Sequence, residues 1–186
     1  MNQVELAQII GACRKGDTKA FRTLVRDYQE MVFSVSLKML CDEDEAKDAV
    51  QETLLRVWRS IGNYSSEKAK FATWIYAIAT RVCLDRMKHR RRRVAFPEEE
   101  RLLRQLIDND EERHLENREW ASVVRVLSSH LGRKQQIVFT LSMLEGLDNE
   151  EIGRITGLTA EKIKSNLYVA RQKIKKQLKL LGYGKE

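Results

Sequence analysis

Proline occurs once in the 186 residues, at Pro97, and glycine nine times. So few turn formers, beside abundant Leu, Ala, Glu, Lys and Arg, point to an all-α chain. Cysteine is equally sparse: Cys13, Cys41 and Cys83 are scattered, odd in number and without metal-ligand spacing. Neither a disulfide framework nor a zinc site follows, and buried structural thiols are expected. The three histidines, His89, His114 and His130, lie far apart in polar helical settings. With no glycine-rich phosphate loop, nucleophile motif or metal-ligand cluster, no catalytic set can be drawn. The chain reads as a non-enzyme without cofactor or metal. No apolar run approaches the roughly 18 residues that span a bilayer. Met1-Asn2-Gln3 leads into an amphipathic stretch with Glu5, unlike a signal peptide. A soluble, cytoplasmic protein is expected.

What is present is charge and helical period. Hydrophobic residues make up 42% and charged residues 33%, with a net charge of +7. The excess suits a polyanionic partner. An ordinary basic protein fits the total as well, so the distribution has to decide.

Apolar residues recur at helical spacing through most of the chain. Val4 to Cys13 forms a first helix, stopped at Gly16-Asp17. Asp17 can cap a second, with the stripe Phe21, Leu24, Val25, Tyr28, Val32, Val35, Met39. A third opens in the acidic cluster Asp42 to Glu45, favourable at the positive end of a helix dipole. A fourth carries Phe71, Trp74, Ile75, Ile78, Ala79 and Val82, then a basic run ending at Arg93. These four can share one core, a first domain over residues 1–95. From Pro97 to Glu119 nine acids face four bases and apolar residues thin out, which reads as an acidic linker over 96–118. A second domain, 119–186, opens with Trp120, Val123, Val124, Leu127 and Leu131. A helix from Arg133 to Glu145 follows, ended by Gly146. Asp148 and Glu151 stand at capping-box spacing before a short helix with Ile152 and Ile155. Thr159 can cap the last helix, whose stripe is Ile163, Leu167, Ala170, Ile174, Leu178, Leu181. The fold class is all-α, two small helical domains joined by a linker, the second a helix–turn–helix domain.

Three segments carry chemistry. A short capped helix, a Gly157-Leu158-Thr159 turn and a longer helix match a helix–turn–helix in order and size. From Ala160 to Glu186 there are eight bases and only Glu161 and Glu186 as acids. Lys164, Tyr168, Arg171 and Lys175 share a face able to meet phosphates, while Lys162, Ser165 and Asn166 can reach base edges. A solvated basic helix closing a bundle would look the same. The second segment is Arg86, Lys88, Arg90, Arg91, Arg92 and Arg93, following a helix with Phe71, Trp74 and Tyr76. Cations near ring faces suit single-stranded or melting nucleic acid. Phe71 and Trp74 fall on the apolar stripe and read as core, whereas Tyr76 lies off it. Asp85 can place Arg86, accept a base donor or form a helix salt bridge. The third segment is Asp42 to Asp48 with Gln51, Glu52, Arg56 and Trp58. It suits a basic protein partner, or simple solvation of a helix start.

The order acidic helix, aromatic-then-basic helix, acidic linker, basic helix–turn–helix resembles the extracytoplasmic-function group of sigma-70-type RNA polymerase sigma factors. Residues 44–53 with Val57-Trp58 resemble the polymerase-binding part of the second sigma region. Residues 71–79 with Leu84-Asp85-Arg86 resemble the segment that melts and reads the −10 element. Leu144-Glu145-Gly146-Leu147, residues 150–153, Gly157-Leu158-Thr159, Ile163 to Leu167 and Ala170-Arg171 resemble the fourth region, which reads the −35 element. The resemblance implies core-polymerase contacts from Asp44, Glu45, Asp48, Gln51, Glu52, Arg56 and Trp58. It implies −10 contacts from Thr73, Trp74, Tyr76, Arg81, Asp85, Arg86, Lys88, His89 and Arg90, and −35 contacts from Lys162, Lys164, Ser165, Asn166, Tyr168 and Arg171. An extruded non-template base would be captured by the first domain. Core RNA polymerase, promoter DNA and an anti-sigma factor, often membrane-anchored, are the implied partners.

The chain departs from the family pattern at three places. Arg81 stands at a usual asparagine and Gly132 at a usual proline, while Lys162 and Asn166 replace a common threonine and arginine. The first and third bear on which promoter bases are read and imply a promoter class of its own. Two rival readings stay open at this point. A helix–turn–helix repressor or activator leaves the acidic helix and the basic helix after Trp74 unexplained. An RNA-binding or nucleic-acid-processing protein would want an RNA module or metal-ligand cluster.

Overall fold

The computed structural model describes residues 2–90, 127–128 and 130–180. The expected linker, the domain boundaries, Arg91 to Arg93, His114, Trp120, Val123, Val124 and Leu181 lie outside the described residues. Among the described residues every regular element is helical. Helix α1 spans Gln3–Arg14 and starts on a capping box: Asn2 accepts from the Glu5 amide, and the Glu5 carboxylate accepts from the Asn2 amide. Helix α2 spans Thr18–Leu40, capped by Asp17 as expected, and ends at Cys41 in a left-handed conformation with φ 57°. Helix α3 spans Glu43–Ser60, with Asp42 as its cap and Glu43, Asp44 and Glu45 in its first turn. After a 3-10 turn at Ile61–Asn63, helix α4 spans Phe71–Arg90.

Helix α2 is central, packing against α1, α3 and α4. Its Val32, Val35 and Met39 join Ala49 and Val57 of α3 and Phe71, Ile75, Ala79 and Val82 of α4 in one apolar core, and Ala46 of α3 is buried as well. With the buried Thr53 completing the set on α3, each recurs every three to four residues, so each helix buries a single stripe. Two devices fix where α4 begins. The Arg14 guanidinium donates to the carbonyls of Ile61 (3.5 Å) and Tyr64 (2.6 Å), tying the end of α1 to the chain leaving α3. The Tyr64 hydroxyl donates to Ala69 (3.1 Å), closing the loop before α4. Phe71 then packs edge-on to Tyr28 and Tyr64 and stacks with Trp74, with ring centroids 4.9–5.6 Å apart.

In the second half, helix α5 spans Arg133–Phe139 and runs on as a π-helical turn, Thr140–Leu144. The single α-helix expected to Glu145 therefore widens in its last turn: the Glu145 amide donates to Thr140, five residues back, at 3.0 Å. Gly146 follows with φ 71°. Helix α6 spans Asn149–Thr156, with the Glu151 amide donating to Asp148 (2.8 Å), and α7 spans Ala160–Leu180. Leu127, Leu131, Phe139, Ala170 and Ile174 form a small core of their own. Ile137, Val138, Leu141, Ile152, Ile155 and Ile163 instead join the apolar cluster built by α2 and α4. The two halves that the sequence separates are packed against each other.

Gly132, one of the expected departures from the family pattern, has φ −62° and ψ 148°. That is the backbone a proline would impose, so the departure leaves the helix start unchanged in shape.

Candidate nucleic-acid interface

The acidic start of α3 presents Asp44, Asp48 and Gln51 to solvent, with Glu45, Glu52 and Arg56 half-exposed. Trp58 turns inward, its ring 4.9 Å from Phe21, and supports the helix from below. The acids are not free-standing. Arg86 of α4, expected beside melted DNA, reaches across to them: Nη1 donates to Glu45 at 2.7 Å and lies 3.6 Å from Asp48, and Nε lies 3.5 Å from Glu52. Burial opposes the guanidinium charge, but the hydrogen bond and attraction from Glu45, with Glu52 and Asp48, outweigh it and raise its pKa. Arg56 likewise joins Glu52 on its own helix to Asp85 of α4, the latter at 3.5 Å. Helical spacing alone could not show this, because the partners lie on different helices.

On α4, Arg81, Asp85, Lys88 and His89 are exposed on a segment leaving the core; Arg90 ends it, and its side chain lies outside the described residues. Trp74 is half-buried against Phe71 and Tyr64, as its place on the stripe implies. Thr73 and Tyr76 differ from expectation. Tyr76, read as off the apolar stripe, is only 7% exposed, and Thr73 is buried as well. The cause is tertiary: Tyr76 donates its hydroxyl to Glu145 of the second half at 2.7 Å. Burial first, and then the hydrogen bond to and charge of Glu145, push its pKa up. Sequence reasoning placed Glu145 only in the segment that resembles the fourth region, and no local signal marks its other partners, Ser34 and Lys38.

The helix–turn–helix is built tightly. A Cβ on Gly153 would meet the Leu158 carbonyl at 3.3 Å, so glycine lets the turn close over α6. Gly157 takes the left-handed conformation, φ 71°, that ends α6. Thr159 accepts from the Lys162 amide at 3.4 Å, as expected of a cap. Ile163, Ala170 and Ile174 are buried, which turns Lys164, Tyr168, Arg171 and Lys175 outward together. Lys162 and Ser165 are exposed at the start of the helix. Asn166 is half-exposed and folded back, its Nδ2 donating to the Lys162 carbonyl at 2.7 Å. Reaching a base edge would require it to give up that bond. Two of the three thiols, Cys13 and Cys83, are buried as expected, and Cys41 is half-buried. Among the described residues no cluster of His, Cys, Asp and Glu could hold a metal ion, and no helix is long and apolar enough to cross a membrane.

Comparison with known proteins agrees with this layout. Residues 24–93 match the family described as Sigma-70 region 2, and residues 123–174 match Sigma-70, region 4. The chain is 27% identical to the RNA polymerase sigma-H factor of Pseudomonas aeruginosa, covering 97% of both chains. It is 30% identical to the ECF RNA polymerase sigma-E factor of Haemophilus influenzae, covering 93% of this chain and 95% of that one. Its fold is similar to the sigma factor RpoE of Bartonella quintana, solved in complex with the anti-sigma factor NepR: TM-score 0.64, 18% identity, 87% of this chain and 98% of that one. With an acidic helix, an aromatic helix turning basic and a glycine-tight helix–turn–helix in that order, the chain belongs to the extracytoplasmic-function subfamily of sigma-70-type RNA polymerase sigma factors.

Proposed function

We propose that three surfaces divide the work of promoter-directed initiation among themselves, within a first domain of residues 1–95 and a second of 119–186. The acidic face of α3 (Asp44, Glu45, Asp48, Gln51, Glu52 and Arg56, with Trp58 beneath) docks on core RNA polymerase. The face of α4 from Thr73, Trp74 and Tyr76 to Arg81, Asp85, Lys88, His89 and Arg90 opens and reads the −10 element. Arg86 serves it chiefly by holding α4 to α3. The start of α7 reads the −35 element through Lys162, Ser165 and Asn166, while Lys164, Tyr168 and Arg171 face phosphates and sugars. The polymerase performs the chemistry and this chain acts as a non-catalytic, cytoplasmic subunit. An anti-sigma factor, as in the complexes of similar folds, is its natural inhibitor.

The observation that carries this reading is the separation of charge. Exposed acids lie on α3, and exposed bases lie along one outward face of α7. Pull-down of core polymerase tests it. Asp44→Lys is the informative variant, because Asp44 is exposed and lies outside the Arg86 contacts, whereas reversing Asp48 or Glu52 would also loosen α4. Core binding should weaken at least threefold with helicity unchanged by circular dichroism. Wild-type affinity for core would remove the docking role of α3.

A further inference from the structure

Between Glu161 and Lys179 every exposed side chain of α7 carries a charge or a hydrogen-bonding group except Val169, which is 37% exposed. A β-branched residue is also a poorer helix former than the lysines and glutamine around it. The apolar stripe does not account for it, because Ile163, Ala170 and Ile174 are buried on another side of the helix. Helical period places Ser165 and Asn166 one turn before Val169, and Gln172 and Lys173 one turn after it. Its neighbours along the surface are therefore polar.

The surroundings narrow what Val169 can touch. Exposed bases flank it, Lys164 and Arg171 on one side and Lys162 and Lys173 on the other. Two of them lean on the segment before the turn: Arg171 Nη2 lies 3.1 Å from the Met143 sulfur, and Lys173 donates to Gln135 at 3.1 Å. An apolar protein groove closing over Val169 would have to strip water from these cations, which is costly. A nucleic-acid duplex would instead neutralise them with phosphates, and its major groove offers one apolar group, the C5 methyl of thymine. The polar residues beside Val169 are already engaged. Ser165 Oγ donates to the Lys162 carbonyl at 3.2 Å, and Asn166 Nδ2 donates to the same oxygen at 2.7 Å. Val169 has no such bond to give up on meeting a base.

We propose that Val169 is a specificity-determining residue of the −35 site, its γ-methyl groups packing on the C5 methyl of one thymine; this role rests on the −35 reading proposed above for α7. Val169 stands about 6 Å farther along the helix than Ser165. That exceeds one base step of about 3.4 Å, so the two residues meet different base pairs. Selection at this position works by apolar fit. A cytosine there would present an N4 donor and no methyl, leaving its donor against an aliphatic side chain. The preferred upstream element therefore contains a thymine whose place is set by Val169.

Deoxyuridine tests this, because it removes the thymine methyl and leaves every hydrogen-bonding edge unchanged. The template is a promoter fragment whose upstream element the wild-type holoenzyme selects from randomised DNA. Each thymine of that element, on either strand, is replaced singly by deoxyuridine, and holoenzyme binding is measured at one fixed salt concentration. At one position wild-type affinity should fall about fourfold, the scale of one buried methyl group. Val169→Ala holoenzyme should bind the thymine template about fourfold more weakly and lose nothing further on deoxyuridine at that position, since the two changes remove the same contact. Alanine is the better helix former, so a weaker complex cannot be ascribed to a frayed α7. Wild-type binding indifferent to deoxyuridine at every thymine would overturn the assignment. So would a Val169→Ala loss of equal size with the deoxyuridine penalty intact, which would place Val169 against protein. If scrambling the whole upstream element leaves wild-type binding unchanged, the −35 role of α7 falls first and takes this contact with it. If scrambling weakens binding while no thymine responds, the −35 role stands and the contact alone is refuted.

Discussion

Replacing Arg86 with alanine tests the claim that its guanidinium belongs to the scaffold joining α3 to α4. Its side chain is 24% exposed, against 44% for Glu45, 64% for Asp48 and 36% for Glu52. The 2.7 Å contact to Glu45 is a charge-assisted hydrogen bond, a class worth about 1.5–3 kcal/mol when shielded. Half-exposed partners discount it to about 1–2 kcal/mol, since solvent screens the pair. The contacts at 3.5 and 3.6 Å add little as bonds, but they offset repulsion among three carboxylates spaced along one helix. Losing that compensation costs roughly 0.3–0.5 kcal/mol more. The total, about 1.3–2.5 kcal/mol, corresponds to a Tm lowered by about 3–10 °C for a chain of this size. Thermal melts by circular dichroism should show that drop in dilute buffer. In 1 M salt, where the screening length is about 3 Å, roughly half should be recovered. Arg86→Lys should restore less than half, because one ammonium cannot serve three acids at once. An unchanged Tm at low salt would refute the scaffold role. A drop indifferent to salt would assign the effect to packing of the arginine stem instead.

Gly132→Pro should raise Tm by about 1–4 °C, corresponding to the 0.4–1 kcal/mol gained when a residue is restricted to a φ it already adopts. A lower Tm would mean that the long amide contact to Gln135, 3.4 Å, matters more than the chain entropy. With a chromogenic disulfide at pH 8, Cys41 should react first and Cys83 last, because burial pushes the Cys83 thiol up to about 11 from an ordinary 9.0. The sign follows: above pH 9 the unfolded chain loses this proton before the folded one does, so stability falls as pH rises toward 11. Equal labelling rates of all three thiols would contradict that packing. Finally, selection from randomised −35 elements with wild-type and Asn166→Arg holoenzymes should yield sequences differing at one base position. Replacing Asn166 should cost about 1–3 kcal/mol on the preferred element. Identical selected sequences would leave Asn166 as a helix residue bonded only to Lys162.

The sequence by itself determined the helices, their caps and the order of the surfaces. Asp17, Asp42, Asp148 and Thr159 act within three residues, and stripes such as Val32-Val35-Met39 or Ile163-Ala170-Ile174 follow from the 3.6-residue period, so both are local and legible. Tyr76 shows where that legibility stops. Its place on the helix puts it off the stripe, and only the arrival of Glu145 from 69 positions away buries it. Arg86 is similar: its charge suggests DNA, but three acids, the nearest in sequence 34 positions back, claim it. The π-helical turn that carries Glu145 also escaped the sequence, since α and π spacing share the same apolar pattern over a single turn. Periodicity reports which side of a helix is apolar; which charged partner meets its polar side is decided by long-range packing. In this chain that packing buried Tyr76 against Glu145 and left Arg81, Asp85, Lys88 and His89 of the same helix exposed.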